Sequence, residues 1–489
     1  MSNTEHFTTK PEERIPLAQK LIYGLGGFVN NLLAAAVGGM VVVLNLHFGM
    51  SLTLVGLVSS LPRLTDAITD PLMGFISDNT RTRWGRRRPY IFAGAILAGL
   101  TFLLLWQLPP GKSDSWYFWY FLVVSFVFYL AYTIFATPWV ALGYELTPDY
   151  HERTRLMGVQ NFFSQLAYLV SPWFLYIMQY DALFDDLIEG AQGLALGVAA
   201  LTIGLGILPA IFLRERLHPG LQEAEKAPPK RERMKAIGQG VVEFLRGFAA
   251  AIKVKAFLQL CGATFLVFNG FMLIASFQLY VIIYYVCAGD QEMGSKLAGY
   301  AGSFQTMAAF VVIAIVTVLA TKIGKRKAFF VATGLSMLGY VMKWFCYTPD
   351  NPWLTLVPAP FIAFGLGALF TLMPSMVADV CDMDELQTSQ RREGMFGSIF
   401  WWVVKLGMAV ALAGGGVLLD WTGFNVDLGA SQAAETLTWM RLCDAFVPCI
   451  ASGLAMYMVF IYPLTEKRAH DIREELERRR GSVEAAVAA

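Results

Sequence analysis

An all-helical membrane protein, with twelve transmembrane helices in two six-helix halves, is the fold class this chain predicts, on three observations. Hydrophobic residues make up 56% of the 489 and charged residues only 15%, with 36 Phe and a mean hydropathy of +0.51. A soluble domain of this length does not carry so much apolar surface. Apolar runs of about 20 residues, the helix length that crosses roughly 30 Å of hydrocarbon, recur from end to end. The third observation is charge: basic residues crowd onto alternate loops. Because lipid offers no partner to open backbone groups, the spans have to be helices.

The first span, near 17–46, opens with Tyr23-Gly-Leu-Gly-Gly and carries Asn30 and Asn31. The second, 52–77, holds Arg63, Asp66 and Asp70 and runs out into the basic loop Gly85-Arg86-Arg87-Arg88. The third (90–108) is almost wholly apolar, the fourth (117–142) carries Tyr132, Thr133 and Trp139, the fifth (156–180) Asn161 and Gln165, and the sixth lies at 193–213. The segment 214–253 is rich in charge and proline and reads as a linker, with an amphipathic helix over Met234–Ala250. The second group follows at 255–287, with Asn269 and Gln278, 297–320, 328–346, 353–381, 395–419, with Lys405, and 440–463. Lys343 sits three residues from a span end and reads as snorkelling. The expected organisation is a first half over 1–213, the linker over 214–253, a second half over 254–464 and a tail over 465–489. Gly85-Arg-Arg-Arg after span two and Gly324-Lys-Arg-Lys after span eight hint at an internal duplication.

Assigning alternate loops to opposite sides puts nearly all of the 38 Lys and Arg with the two termini and leaves Lys112 and Lys296 on the other side. By the positive-inside rule both termini are cytoplasmic and the protein is multi-pass in the cell's inner (plasma) membrane. The N-terminal segment lacks a short apolar core with a small-residue cleavage site and reads as a retained tail. The six cysteines show no CxxC pair and no histidine partner at metal spacing, so they read as packing residues.

Span two carries the chemistry. A charged group in hydrocarbon costs several kcal/mol or more, so those that persist line an ion or substrate path. In a continuous helix Asp66 and Asp70 are one turn apart, roughly 6 Å on one face, with Arg63 one turn earlier. Two carboxylates that close repel in a low dielectric, and a shared cation or a proton on one of them relieves the repulsion. The other reading is a structural Arg63–Asp66 ion pair.

The string DAITDPLMGFISDNTRTRWGRRRPY over 66–90 resembles the second-helix motif of the glycoside-pentoside-hexuronide:cation symporters, a family of the major facilitator superfamily. A second block agrees in order and spacing: Met376-Val-Ala-Asp379-Val-Cys-Asp382-Met-Asp384-Glu385, then Arg391-Arg392-Glu393-Gly394 and Val404-Lys405-Leu-Gly407. The resemblance implies the twelve-helix fold, alternating access and symport of a sugar-like solute (a glycoside, uronate or related acid) with a cation. It implies that Asp66 and Asp70 bind that cation, with Thr133 as a further oxygen ligand and Lys405 near the pair and the substrate. Members of the melibiose permease type have an asparagine where this chain has Thr69. A threonine hydroxyl still offers a hard oxygen, which leaves the ion as H+ or Na+. Four of their site charges are replaced, with Asn30 and Asn31, Ala136 and Asn161 in their stead. Asparagine can still make paired hydrogen bonds to hydroxyls, so candidate substrate contacts are Asn30, Asn31, Tyr132, Trp139, Asn161, Gln165, Asn269, Gln278 and Lys405. Interhelical hydrogen bonding is the other role open to each amide.

Asp78, Arg86, Glu145, Arg153, Asp379, Asp382, Glu385, Arg391 and Arg392 gather at the cytoplasmic ends of spans and, with Arg63 within span two, read as gating charges that pair and separate. An enzyme is not expected, since no phosphate-binding loop follows a strand and no Ser-His-Asp or HExxH pattern occurs. No cofactor beyond the coupling ion is expected, and the partners are a small-molecule substrate, the cation and the bilayer, with no nucleic acid and a monomeric state. The rival within the fold is a lysolipid or other amphiphile symporter.

Overall fold

The computed structural model describes residues 14–78, 80, 82–147, 150–215, 253–388, 393–472, 474–476 and 478. The stretch 234–250 lies outside them, as does most of the 214–253 linker. The chain divides into two compact units: Met1–Met50 with Leu61–Ile237, and Ser51–Ser60 with Gly238–Ala489.

The first ten helices are α1 (Leu17–Met40), α2 (Val43–Leu46), α3 (Leu52–Leu64), α4 (Asp66–Asp78), α5 (Arg88–Leu105), α6 (Asp114–Glu145), α7 (Tyr150–Val170), α8 (Phe174–Met178), α9 (Leu187–Gly206) and α10 (Leu208–Phe212). After the linker come α11 (Lys255–Tyr280), α12 (Gln291–Ile323), α13 (Lys325–Cys346), α14 (Ala359–Thr388), α15 (Glu393–Trp421) and α16 (Ala434–Phe460). Among the described residues ten helices are long and apolar enough to cross a membrane. The other two expected spans are both interrupted. Span two is interrupted at Thr65, between α3 and α4, and span five passes through a 3-10 turn at Ser171–Trp173 between α7 and α8. A proline sits at each break, Pro62 in α3 and Pro172 in the turn, where it removes an amide donor and crowds the carbonyl four residues back.

Helix starts follow from short polar side chains that accept from the first turn: Ser113 from the Trp116 amide, Asp186 from Glu189 and Asp290 from Met293. Close helix contact follows from glycine. A Cβ on Gly94 of α5 would come within 2.5 Å of the Phe135 nitrogen on α6, and one on Gly339 of α13 within 2.8 Å of the Ile362 nitrogen on α14.

Each unit's basic loop has a glycine at positive φ with a carboxylate beside it. Gly85 takes φ +108, and the Glu215 carboxylate accepts from the amides of Arg86 (2.8 Å), Arg87 (2.8 Å) and Arg88 (3.1 Å) at the start of α5. The Arg88 guanidinium returns the contact, donating to the Ala210 and Ile211 carbonyls at the end of α10. In the second unit Gly324 takes φ +83 and the Glu466 carboxylate lies where its Cβ would be, while Arg326 donates to the Phe460 carbonyl that ends α16. Each carboxylate lies against a helix start and each guanidinium at a helix end, the favourable sense for both dipoles.

Glu152, 1% exposed at the start of α7, closes the first unit at the same end. It accepts from the Lys20 ammonium (2.5 Å), the Ile15 amide (3.0 Å) and Arg155 (3.1 Å). Burial pushes its carboxyl up, but these hydrogen bonds and the Lys20 charge outweigh it and hold the group below the usual carboxylate range. A carboxylate held low adds stability at pH above its unfolded value and loses it as pH falls through the folded one. Glu152→Gln should therefore lower the thermal unfolding midpoint in detergent at pH 7, by the equivalent of about 3 kcal/mol. The difference from the unaltered protein should shrink below about pH 4.

Candidate functional site

The break in the second span sets the geometry of the first unit. With no amide on Pro62, the chain turns at Thr65, whose amide (3.2 Å) and hydroxyl (2.6 Å) both donate to the Pro62 carbonyl. Asp66 then becomes the first residue of α4, where the helix dipole favours negative charge. The span expected as one helix over 52–77 is therefore two, with Arg63 on α3 and the aspartates on α4. Arg63 still acts on Asp66, and it lies within electrostatic reach of Tyr129, Tyr132 and Tyr168 as well.

Asp66 is 4% exposed. One turn on, Asp70 Oδ1 accepts from Thr133 (3.0 Å) and from Thr137 (3.4 Å), two hydroxyls one turn apart on α6. Thr133 was expected from the sequence; Thr137 was missed, although its i+4 spacing from Thr133 was there to be read. Thr69 donates back to the Thr65 carbonyl at 3.1 Å, so its proton is used within the helix while its oxygen can still accept. The Arg63 guanidinium lies 4.8 Å from the ring centre of Tyr129. Asp66, Asp70 and the Arg63 guanidinium all lie within electrostatic reach of Tyr132 near the helix break, and two hydroxyls bond to Asp70: hard oxygens suited to a proton or a small cation.

Beside this cluster, tyrosines fix the two asparagines of α1. Tyr132 donates to Asn30 Oδ1 (2.9 Å), and Tyr168, which the sequence reading did not single out, donates to Asn31 Oδ1 (3.1 Å). Asn31 Nδ2 donates to the Gly27 carbonyl, so both ends of that amide have a partner within the first unit. Gln165 is half-buried and Asn161 exposed on α7. Trp139 is a correction: it is 1% exposed, stacks on Tyr23 at 5.0 Å and donates to the Tyr23 carbonyl, with Gly26 making room for the indole. Packing accounts for it.

In the second unit Asn269 donates to the Phe265 carbonyl (2.8 Å) and lies against Gly407 of α15, two residues from Lys405, whose side chain is exposed. Gln278 is elsewhere, its Oε1 accepting from Lys343 at 3.2 Å. Lys343 does not snorkel. It is 2% exposed and bonds to Asp444, itself 1% exposed, at 2.9 Å. The counter-charge at its depth on α16 keeps it inside, with the rings of Tyr340 and Tyr347 6.0 and 5.5 Å away.

Of the expected gating charges, Asp379 binds Lys325 at 2.7 Å, and both line a cavity of about 1310 Å³ together with Asp382 and the chain beyond α16. Arg86 meets Glu215 through its backbone, and Glu385 is half-buried on α14. Arg391 and Arg392 lie outside the described residues, as do the side chains of Asp78, Glu145 and Arg153.

A family model described as MFS/sugar transport protein matches residues 17–466. The chain belongs to that family. Similar sequences include an uncharacterised symporter, sll1374, of Synechocystis sp., 26% identical over 96% of this chain and 98% of its own length. The sodium-dependent lysophosphatidylcholine symporter 1 of Gallus gallus is 25% identical over 95% of this chain and 90% of its own. The glucuronide carrier protein homolog of Escherichia coli is 24% identical over 94% and 95%. The resemblance read from the two sequence blocks agrees with this family, and with it the expectation of a transporter rather than an enzyme.

The Lys343–Asp444 pair is open to a direct test. Removing one partner strands the other charge in the unit's interior, so Lys343→Met or Asp444→Leu alone should each cost about 3 kcal/mol or more in unfolding free energy. The double variant should cost much less than the two single losses together, as measured by denaturant unfolding of all four proteins.

Proposed function

We propose that this protein is a cation-coupled symporter that carries a sugar-like solute, a glycoside, uronate or related acid, by alternating access. The observation that carries the reading is the carboxylate pair at the broken second span, with Thr133 and Thr137 donating to Asp70. Asp66 and Asp70 hold the coupling ion, H+ or Na+, with Thr133, Thr137 and the Thr69 oxygen as neutral ligands. Occupying the site removes the repulsion between two carboxylates, and that change of charge is what lets ion and solute binding depend on each other. Asn30 presents its amide beside Tyr132, while Asn161, Gln165, Asn269 and Lys405 supply the remaining polar contacts. Charged pairs such as Lys325–Asp379 hold the basic loops and release them as the carrier cycles. Both termini lie in the cytoplasm, solute enters from the side that carries Lys112 and Lys296, and one chain suffices for transport.

The relatives support two substrate readings. The name of the Escherichia coli carrier points to an acidic sugar and that of the Gallus gallus symporter to a lysolipid. We favour the acidic sugar, because the amide side chains around Asn30 are hydrogen-bonding groups suited to hydroxyls, with Lys405 to meet a carboxylate.

In proteoliposomes under separate sodium and proton gradients, one of the two ions should drive accumulation of a uronate or a glycoside. Asp70→Asn should abolish accumulation against a gradient while leaving the yield of folded protein unchanged. Gradient-driven uptake in that variant would sink the assignment of Asp70.

The substrate class is decided by comparing ligands on one variant. Lys405→Ala should weaken binding of a uronate or sulfonated sugar at least tenfold more than that of a neutral glycoside, since a charge-assisted bond outweighs a neutral one by about 1.4 kcal/mol or more. Equal losses would assign Lys405 to an internal contact and a neutral substrate. A response to lysophosphatidylcholine alone would favour the amphiphile reading.

A further inference from the structure

The start of α3, the helix that leads into the ion cluster, needs partners for its first amides, and the set is complete. Ser51 Oγ accepts from Leu54 (3.4 Å) and the Ser51 carbonyl from Val55 (3.0 Å). The remaining two go to one carboxylate far along the chain. Asp420 accepts from the Leu52 amide through Oδ1 (3.3 Å) and from the Thr53 amide through Oδ2 (2.8 Å). Asp420 is the last residue but one of α15, whose last turn has no basic residue. A carboxylate there opposes the dipole of its own helix and lies against the favourable end of α3.

The backbones also touch. A Cβ on Gly416 of α15 would come within 2.0 Å of the Leu52 carbonyl oxygen, and one on Gly56 of α3 within 2.6 Å of the Leu412 carbonyl oxygen. Residues Ser51–Ser60 accordingly cluster with the second unit, whereas the same helix from Leu61 onward clusters with the first. Just past that point lie Pro62, the turn at Thr65 and then Asp66.

We infer that Asp420 is a positioning residue for the coupling ion: by capping α3 it fixes the outer piece of the broken helix, and through the Pro62–Thr65 turn it fixes where Asp66 stands. The inference rests on the reading of Asp66 and Asp70 as the ion site. Two charge-assisted bonds set the axial position and rotation of α3, and the two glycines permit only one depth of contact. The turn at Thr65 is short, with both of its donors on the Pro62 carbonyl, so a shift of α3 is passed on to the first residue of α4. A cation between two carboxylates is sensitive to displacements of well under an ångström, and loosening the anchor weakens ion binding without removing a ligand.

The test needs no substrate. Purified protein is treated with a hydrophobic carbodiimide, and modification of Asp66 and Asp70 is followed by mass spectrometry as the concentration of Na+ or of H+ is raised. In the unaltered protein one of the ions should change the rate of modification. In Asp420→Ala the concentration of that ion giving half the effect should rise about tenfold, with the full effect recovered at saturation. Asp420→Asn, which keeps one acceptor, should fall in between. If Asp420→Ala does not fold, the Asp420→Asn shift is decisive by itself. An unchanged half-effect concentration in the folded variants would overturn the role of Asp420 alone. Modification that responds to neither ion in the unaltered protein would overturn the ion site and this inference with it.

Discussion

A helix broken inside a membrane exposes amides and carbonyls that lipid cannot satisfy, and the chain has to supply partners for each of them. The turn at Thr65 does this within three residues, by directing the Thr65 amide and hydroxyl to the Pro62 carbonyl. Much of the first unit's chemistry follows. The break gives Asp66 the first position of a new helix, a stabilising place for a negative charge, and sets Asp70 one turn on, opposite the two threonines of α6. The cost of placing carboxylates among apolar helices is offset by geometry that a continuous helix would not offer.

The second unit handles buried charge differently. Lys343 and Asp444 satisfy one another, with Gln278 taking another of the ammonium's donors. An ammonium has no acceptor, so Gln278 must turn its oxygen toward Lys343 and its amino group away. The first unit keeps two carboxylates and one guanidinium in its cluster, and the second keeps a matched pair. An imbalance of that kind is what an ion can answer, and a matched pair is not.

How much of this could be read from the sequence depended on range. Apolar runs gave the helices because span length and composition are local properties, and the aspartates stood out because charge at bilayer depth is rare. The break did not, since proline alone does not announce one: Pro138, Pro374 and Pro448 all sit within unbroken helices. What differs at Pro62 is a threonine three residues on that can turn the chain. The Lys343–Asp444 pair joins residues 101 apart and the α3 cap joins residues 367 and 368 apart, so neither leaves a periodic trace. Trp139 misled for a related reason, because the glycine its indole packs on, Gly26, lies on another helix.

The carboxylate loops that close over Gly85 and Gly324 bear on how the two units are joined. Glu215 ties the chain to three amides immediately before the linker begins, and Arg88 returns two bonds to the helix just before it. A pull on the chain from residue 216 onward meets that five-bond knot before it reaches α10. The knot works as a strain relief does on a cable: the connector can lengthen, shorten or be cut over evolutionary time while the helix it leaves stays seated. Such insulation makes the joint the part of the chain most free to vary.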